Sequence, residues 1–221
     1  SSKAAYSDDG INWTQTTLPD TDNWRSVTYG NNRFVAVAYG SYVAAYSDDG
    51  ITWTQTTLPD YGELYSVTFG NNRFVAVAYD SNVAAYSDDG ITWNIGKQAY
   101  YSIDGYIDTG GIVLSTDYCE SKVLKKAIED TILVKSLPAS QDWYATAYGN
   151  GRFVAIANNS SIAAYSDDGI TWNQASLPGS KTWTSVTYGN GRFVAVATNS
   201  SMSAYSDDGI TWTQNTLPAE A

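Results

Sequence analysis

The octapeptide Tyr-Ser-Asp-Asp-Gly-Ile-Thr-Trp at 46–53 recurs with at most one change from Tyr6, Tyr86, Tyr165 and Tyr205, and the rest of the chain is spaced from it. Each copy suits a tight hairpin. The aspartates favour a type I turn, and Gly50 can take the left-handed position of a three-residue loop with a bulge. On this reading Tyr46 closes one strand, and Ile51, Thr52 and Trp53 open the next. Five such hairpins predict a repeat array, in which each unit buries its apolar face against its neighbours.

The first complete unit begins at Trp24. A strand over 25–29, a turn at 30–32, a second strand over 33–38 and the third and fourth strands over 42–53 place four strands in one repeat. Trp13 and Trp53 are 40 residues apart. The second strand is apolar on both faces, with Phe34, Ala36 and Ala38 on one and Val35 and Val37 on the other. A strand of this kind is covered on both sides, as in a radial array of sheets. At its turn Asn32 and Asn72 alternate with Gly151 and Gly191, two residue types that tolerate positive φ. The units fall at 24–59, 64–97, 143–178 and 183–218, with half a unit at 1–19. All five prolines (Pro19, Pro59, Pro138, Pro178 and Pro218) hold one register after the fourth strand.

The pattern breaks over 94–134, where no Asp-Asp-Gly turn occurs. The break has the length of one repeat, so 98–138 is expected as a degenerate blade. Its strands are expected at 99–103, 106–107, 112–115 and 131–135. A short helix is expected between them, because Asp117 with Glu120 resembles a capping box and Cys119, Val123, Leu124, Ala127, Ile128 and Ile132 recur at helical spacing.

The repeated turn resembles the Asp-box, the bacterial-neuraminidase-type repeat carried on hairpins of many β-propellers, through Asp48, Gly50, Thr52 and Trp53. Ser47 stands one place later than the family serine. The resemblance implies an all-β propeller of four-stranded blades forming a single domain over 1–221: five blades, one of them degenerate, and an N-terminal half blade. It also implies a structural role for Asp8, Asp48, Asp88, Asp167 and Asp207, which would accept backbone hydrogen bonds in the turn. Trp13, Trp53, Trp93, Trp172 and Trp212 would pack between sheets. The repeats are also similar in style to those of phage tail and bacterial surface proteins.

Composition narrows the chemistry. A formal net charge of −11 argues against nucleic acid as partner, and no apolar run is long enough to predict membrane insertion. With no histidine and Cys119 the lone cysteine, most zinc and nucleophilic mechanisms lack their residues, and neither a metal nor a cofactor is expected. Five equivalent Asp pairs indicate turn geometry, since a catalytic pair needs one distinctive environment. A sialidase-like hydrolase would need three arginines at its site. Arg33, Arg73, Arg152 and Arg192 share one repeat position, leaving Arg25 outside the pattern, with Asp104, Asp108 and Glu129 as the remaining acid and base candidates. The connections between strands vary while the strands do not, the usual arrangement for recognition on a rigid scaffold. The expectation is therefore a non-enzymatic, lectin-like module for adhesion or receptor binding, placed outside the cell, on its surface or on a virion. Its ligand, a glycan or protein receptor, is expected at Tyr39, Tyr42, Tyr61, Tyr79, Asn82, Asn158 and Asn199. Alternatives are protein docking through the degenerate blade, and a partner chain or self-association at the incomplete N-terminal blade.

Overall fold

The computed structural model describes residues 1–81, 84–95, 106–108, 113–115 and 137–218, and the regular structure among them is all β. An N-terminal hairpin pairs β1 (Lys3–Tyr6) with β2 (Thr14–Thr17). Sheet I contains β3 (Asn23–Gly30), β4 (Arg33–Tyr39), β5 (Ser41–Ser47) and β6 (Thr54–Gly62). Sheet II contains β7 (Leu64–Gly70), β8 (Arg73–Ala78), β9 (Ala84–Ser87) and β10 (Asn94–Ile95). A separate small hairpin pairs β11 (Tyr106–Asp108) with β12 (Val113–Ser115). Sheet III contains β13 (Trp143–Gly149), β14 (Arg152–Ala157), β15 (Ser160–Ser166) and β16 (Asn173–Lys181). Sheet IV contains β17 (Trp183–Gly189), β18 (Arg192–Ala197), β19 (Met202–Ser206) and β20 (Thr213–Thr216). Every sheet is an antiparallel meander. The turn between its first two strands is left-handed as expected, with Asn31 and Asn32 at φ 50° and 56°.

The core lies between sheets, so the doubly apolar second strand is its centre. Val35, Val37, Ala36 and Ala38 are all buried. Val35 and Val37 pack with Leu64, Val67 and Phe74 of sheet II, Val75 and Val77 with Trp143 and Phe153 of sheet III, and Val154 and Ile156 with Trp183 and Phe193 of sheet IV. Each fully buried Val or Phe contributes roughly 1.5–3 kcal/mol.

The contacts order the sheets I, II, III and IV, and this corrects the expected place of the irregular segment. β7 packs directly on β13. Ser66 Oγ accepts a hydrogen bond from the Thr146 N–H at 3.1 Å, the same contact that Ser26 Oγ makes with the Val67 N–H. The residues after the break re-enter sheet II. Gln141 exchanges two 3.2 Å backbone hydrogen bonds with Ser81, at the place where Gly62 pairs with Ser41 in sheet I. Leu58 and Leu177 follow their turn tryptophans by five residues, and Leu137 follows Trp93 by 44. Sheets II and III therefore pack directly, with none of the described strands standing between them as the expected in-line blade at 98–138, and most of that segment lies outside the described residues. The expected helix lies outside the described residues, as do Asp104, Cys119 and Glu129.

The repeated turn also differs from expectation. Ladder pairing stops at Tyr46↔Thr54, so Ile51–Trp53 belongs to the turn. Asp49 Oδ1 accepts hydrogen bonds from Ser47 Oγ and the N–H groups of Ile51 and Thr52 at 2.7–2.9 Å, taking donors that a strand would need for its ladder. The buried Ser47 Oγ accepts from Gly50 N–H. The turn-forming aspartate is therefore the second of each pair (Asp9, Asp49, Asp89, Asp168 and Asp208). The first has another task. Asp48 accepts from Arg33 Nε at 2.7 Å, and Arg33 Nη1 reaches the Asp89 carbonyl of the next sheet at 2.7 Å. Arg73 repeats this with Asp88 and the Asp168 carbonyl, and Arg152 with Asp167 and the Asp208 carbonyl. Each arginine also lies over a tyrosine ring of its own sheet, Tyr46, Tyr86 or Tyr165. Arg192 holds its own Asp207 and lies over Tyr205, but is more exposed and, among the described residues, has no bond to a next sheet.

The tryptophans of the turn are buried at Trp93, Trp172 and Trp212 and half-buried at Trp53. Trp13 is a correction: it is 65% exposed. Trp53 has the Phe34 ring 6.4 Å away on the second strand of its own sheet, and the N-terminal hairpin has no such strand. For the same reason Asp8 has no arginine in its own unit.

Candidate recognition site

The first strand of every sheet carries a register shift, between Trp24 and Ser26, Leu64 and Ser66, Trp143 and Ala145, and Trp183 and Ser185. The residue passed over is Arg25, Tyr65, Tyr144 or Thr184. A bulge leaves one residue out of the ladder and re-aims its side chain. Here it turns the bulged residue toward the end of a second strand, and in sheets I to III this builds an aromatic cluster.

Tyr65 is its centre. Its ring centroid lies 5.6 Å from Tyr39, 5.9 Å from Tyr79 and 4.3 Å from Tyr144, and Tyr39 and Tyr79 are 6.3 Å apart. The Arg25 guanidinium stands 4.9 Å from the Tyr65 centroid and 5.4 Å from that of Tyr39. These geometries match the tilted and edge-on arrangements that aromatic quadrupoles favour, with the cation on the negative ring face.

Two carboxylates complete the cluster. The Tyr39 hydroxyl is hydrogen-bonded to Glu63, which raises its pKa. The Asp142 charge, with a hydrogen bond to the hydroxyl, raises that of Tyr79. Tyr144 is raised by its hydrogen bond with Tyr65 and by burial. All three phenols remain neutral donors at physiological pH. The cluster thus offers partly exposed aromatic faces, phenolic hydroxyls, one guanidinium and two carboxylates on one surface.

Of the residues expected to bind ligand, the structure brings Tyr39 and Tyr79 together. Tyr42 is exposed on β5. Tyr61 lies in β6, and Asn82 falls outside the described residues. Asn158 occupies the same repeat position as Tyr39 and Tyr79 in sheet III, and its N–H donates to the Asp142 carbonyl at 2.8 Å. Asn199, in a left-handed exposed turn, lines a polar hollow of about 300 Å³ with Asn159, Ser180, Lys181 and Thr182. Sequence reasoning directed at loops reached the varied connections 60–63 and 139–142 that hold Glu63 and Asp142, without naming either as a ligand residue, and missed Tyr65 and Tyr144, which lie in strands. The available signal was Arg25, the one arginine outside the repeat pattern, whose counterparts Tyr65, Tyr144 and Thr184 also vary. No group of three or more metal-ligating side chains converges among the described residues.

No family model matches the chain, and no curated protein matches it. Solved structures do. Streptogramin B lyase superposes with a TM-score of 0.70 at 11% identity over 99% of this chain and 63% of that one. YCF48 bound to D1 peptide gives 0.57 at 15% identity over 94% and 58%. A chain of the nidogen/laminin complex gives 0.56 at 7% identity over 88% and 63%. These neighbours are β-propellers, and the likeness shows that this chain has the propeller fold. The chain spans about three fifths of the length of each of them.

Proposed function

We propose that the chain is a non-enzymatic recognition module that binds oligosaccharides at the cluster centred on Tyr65, as an adhesin or receptor-binding part of a larger extracellular, cell-surface or virion-borne assembly. The observation that carries this reading is the meeting of Tyr39, Tyr65, Tyr79 and Tyr144 with Arg25 on one surface. A sugar presents apolar C–H faces edged by hydroxyls. Tyrosine rings stack on the former, while phenols, carboxylates and a guanidinium bond to the latter. Binding sites commonly combine an aromatic wall with a few placed polar groups. The non-catalytic reading is supported by the use already made of the repeated carboxylates, the second of each pair turned inward to its loop and, in sheets I to IV, the first turned to arginine.

A second reading, a protein or peptide ligand, is favoured by the same composition, because tyrosine and arginine dominate protein hot spots. It is also favoured by the neighbours solved with a D1 peptide and in a nidogen/laminin complex. A glycan-array screen of the purified chain beside Tyr65→Ala and Tyr42→Ala separates these readings. The oligosaccharide reading expects selective binding that Tyr65→Ala abolishes and Tyr42→Ala spares. Absence of binding to every glycan at high protein concentration refutes it and leaves the protein-ligand reading.

A further inference from the structure

The polar hollow at Asn199 lies between sheets III and IV, at the repeat positions that build the Tyr65 cluster in sheets I to III. Three sets of contacts fix the correspondence. The carbonyls of Glu63, Asp142 and Thr182 accept the N–H groups of Tyr79, Asn158 and Thr198 at 2.8–2.9 Å, so each trio holds one position. Asp80, Asn159 and Asn199, left-handed at φ 46°, 51° and 52°, hold another. Gly62, Gln141 and Lys181 hold a third, each opposite a serine, Ser41, Ser81 or Ser160.

These positions change charge together. Between sheets I and II they carry Glu63 and Asp80, and between sheets II and III Asp80 and Asp142. Between sheets III and IV they carry Asn159, Thr182 and Asn199, with Lys181 beside them. In a chain of formal net charge −11, this junction has exchanged both carboxylates for neutral groups and gained a cation. Volume changes with charge. Thr184 and Thr198 stand where sheet II has Tyr65 and Tyr79, and the loss of ring volume leaves room of about 300 Å³.

The groups that line this room are hydrogen-bond donors. Lys181 is half-buried, and no carboxylate among the described residues pairs with its ammonium. Thr182 Oγ1 donates to Asn159 Oδ1 at 2.9 Å, which fixes that amide and leaves its Nδ2 hydrogens to donate. Ser200 Oγ accepts the Met202 N–H at 3.0 Å and keeps its own hydrogen to donate. A cation, an amide and a hydroxyl, with no carboxylate in the lining, form the donor set of an oxyanion site.

We infer that this hollow is a subsite for the sulfate or carboxylate group of an acidic oligosaccharide, held by Lys181, Asn159 and Ser200 while adjoining sugar units extend toward the Tyr65 cluster. That the anion belongs to a sugar rests on the oligosaccharide reading; that the hollow takes an anion does not.

The test is NMR of the ¹⁵N-labelled chain titrated with sodium sulfate, with sodium chloride at equal ionic strength as the control. Saturable shifts of the Asn159, Lys181, Asn199 and Ser200 amides are expected with sulfate only, at an affinity reduced about tenfold or more by Lys181→Met. Thr182→Glu, which restores the carboxylate of sheets II and III, should abolish them, with circular dichroism reporting that both variants keep the fold. Equal shifts in chloride, or undiminished affinity in Lys181→Met, overturn the inference. Sulfated and uronic-acid oligosaccharides, each beside its desulfated or carboxyl-reduced counterpart, supply the second arm. The acidic form should bind about tenfold tighter or more, and Lys181→Met should remove that preference. Equal binding of acidic and neutral forms overturns the subsite and leaves the Tyr65 reading standing. Shifts with sulfate but with no oligosaccharide refute both the acidic sugar and that reading.

Discussion

Replacing Gly70 by alanine probes the junction on which the cluster depends. A methyl carbon on Gly70 would lie far inside van der Waals contact with three carbons of the Tyr148 ring, well under the 3.0 Å that real Cβ atoms respect. That ring cannot simply retreat, because Phe153 backs it with centroids 4.7 Å apart. Overpacking of this kind costs about 1–3 kcal/mol, and the rigid backing places Gly70→Ala near 3. For a chain of this length, about 3 kcal/mol lowers the melting temperature by about 6–12 °C. Gly189 holds the same repeat position in sheet IV, where an added Cβ meets nothing within 4 Å. Gly189→Ala is therefore neutral or slightly stabilising, through the reduced freedom of its unfolded chain. Differential scanning calorimetry of both variants gives the comparison, and Tyr148→Ala gives a further check. In that background Gly70→Ala should cost little, since the two changes share one contact. A Gly70→Ala protein melting within a degree of the parent would refute direct stacking of sheet II on sheet III.

The arginine bridges predict a graded series in urea unfolding. Arg73→Ala removes bonds to Asp88 and to the next sheet and costs about 2 kcal/mol, whereas Arg192→Ala loses Asp207 and the Tyr205 ring of its own sheet but no described bond to another sheet, and costs less. Acid sensitivity follows from the turns. The Thr52 and Ile51 N–H groups and Ser47 hold Asp49 at about 2 from 3.8, and Arg33 lowers Asp48. At Asp89 and Asp168 burial pulls upward, and the Thr92 and Thr171 N–H groups lead the hydrogen bonds that outweigh it. Because these folded-state pKa values lie below the unfolded ones, their stabilisation is complete above about pH 4 and is lost as pH falls toward about 2. Urea midpoints measured from pH 6 to pH 2 should fall steeply only below about pH 4, and Asp49→Asn should flatten that fall. A midpoint declining evenly from pH 6 would contradict the assignment. Ser47→Ala, which removes a buried hydroxyl bonded to both Asp49 and the Gly50 N–H, should lower stability by about 1–2 kcal/mol. Unchanged stability would remove Ser47 from the turn's support.

Strand content, turn handedness and the structural place of the repeated arginines were legible in the sequence, because each recurs in several registers and rests on local chemistry. The direct packing of sheet II on sheet III was not. The irregular stretch 94–134 has about the length of one repeat, so counting residues places a blade between them, and only contacts such as Gly70–Tyr148 and Ser81–Gln141 show the two sheets side by side. The exchange of roles between Asp48 and Asp49 turns on which neighbouring carboxylate faces the loop, and both positions are aspartate in every copy. The cluster was half legible. Tyr39 and Tyr79 sit where loops vary, but Tyr65 and Tyr144 belong to strands, and the bulges that re-aim them leave no mark on the alternation of side chains.

The central claim, that ligand is recognised by the tyrosines around Tyr65, is tested most directly by NMR of the chain labelled with ring-¹³C tyrosine, with and without a pooled set of oligosaccharides. The account predicts ring-to-ring nuclear Overhauser effects between Tyr65 and Tyr144, and shifts on adding the pool at Tyr39, Tyr65, Tyr79 and Tyr144. The rings of Tyr46, Tyr86 and Tyr165 beneath the arginine bridges should stay unmoved. Shifts confined to the bridge tyrosines, or no shift at any of the four, would contradict it.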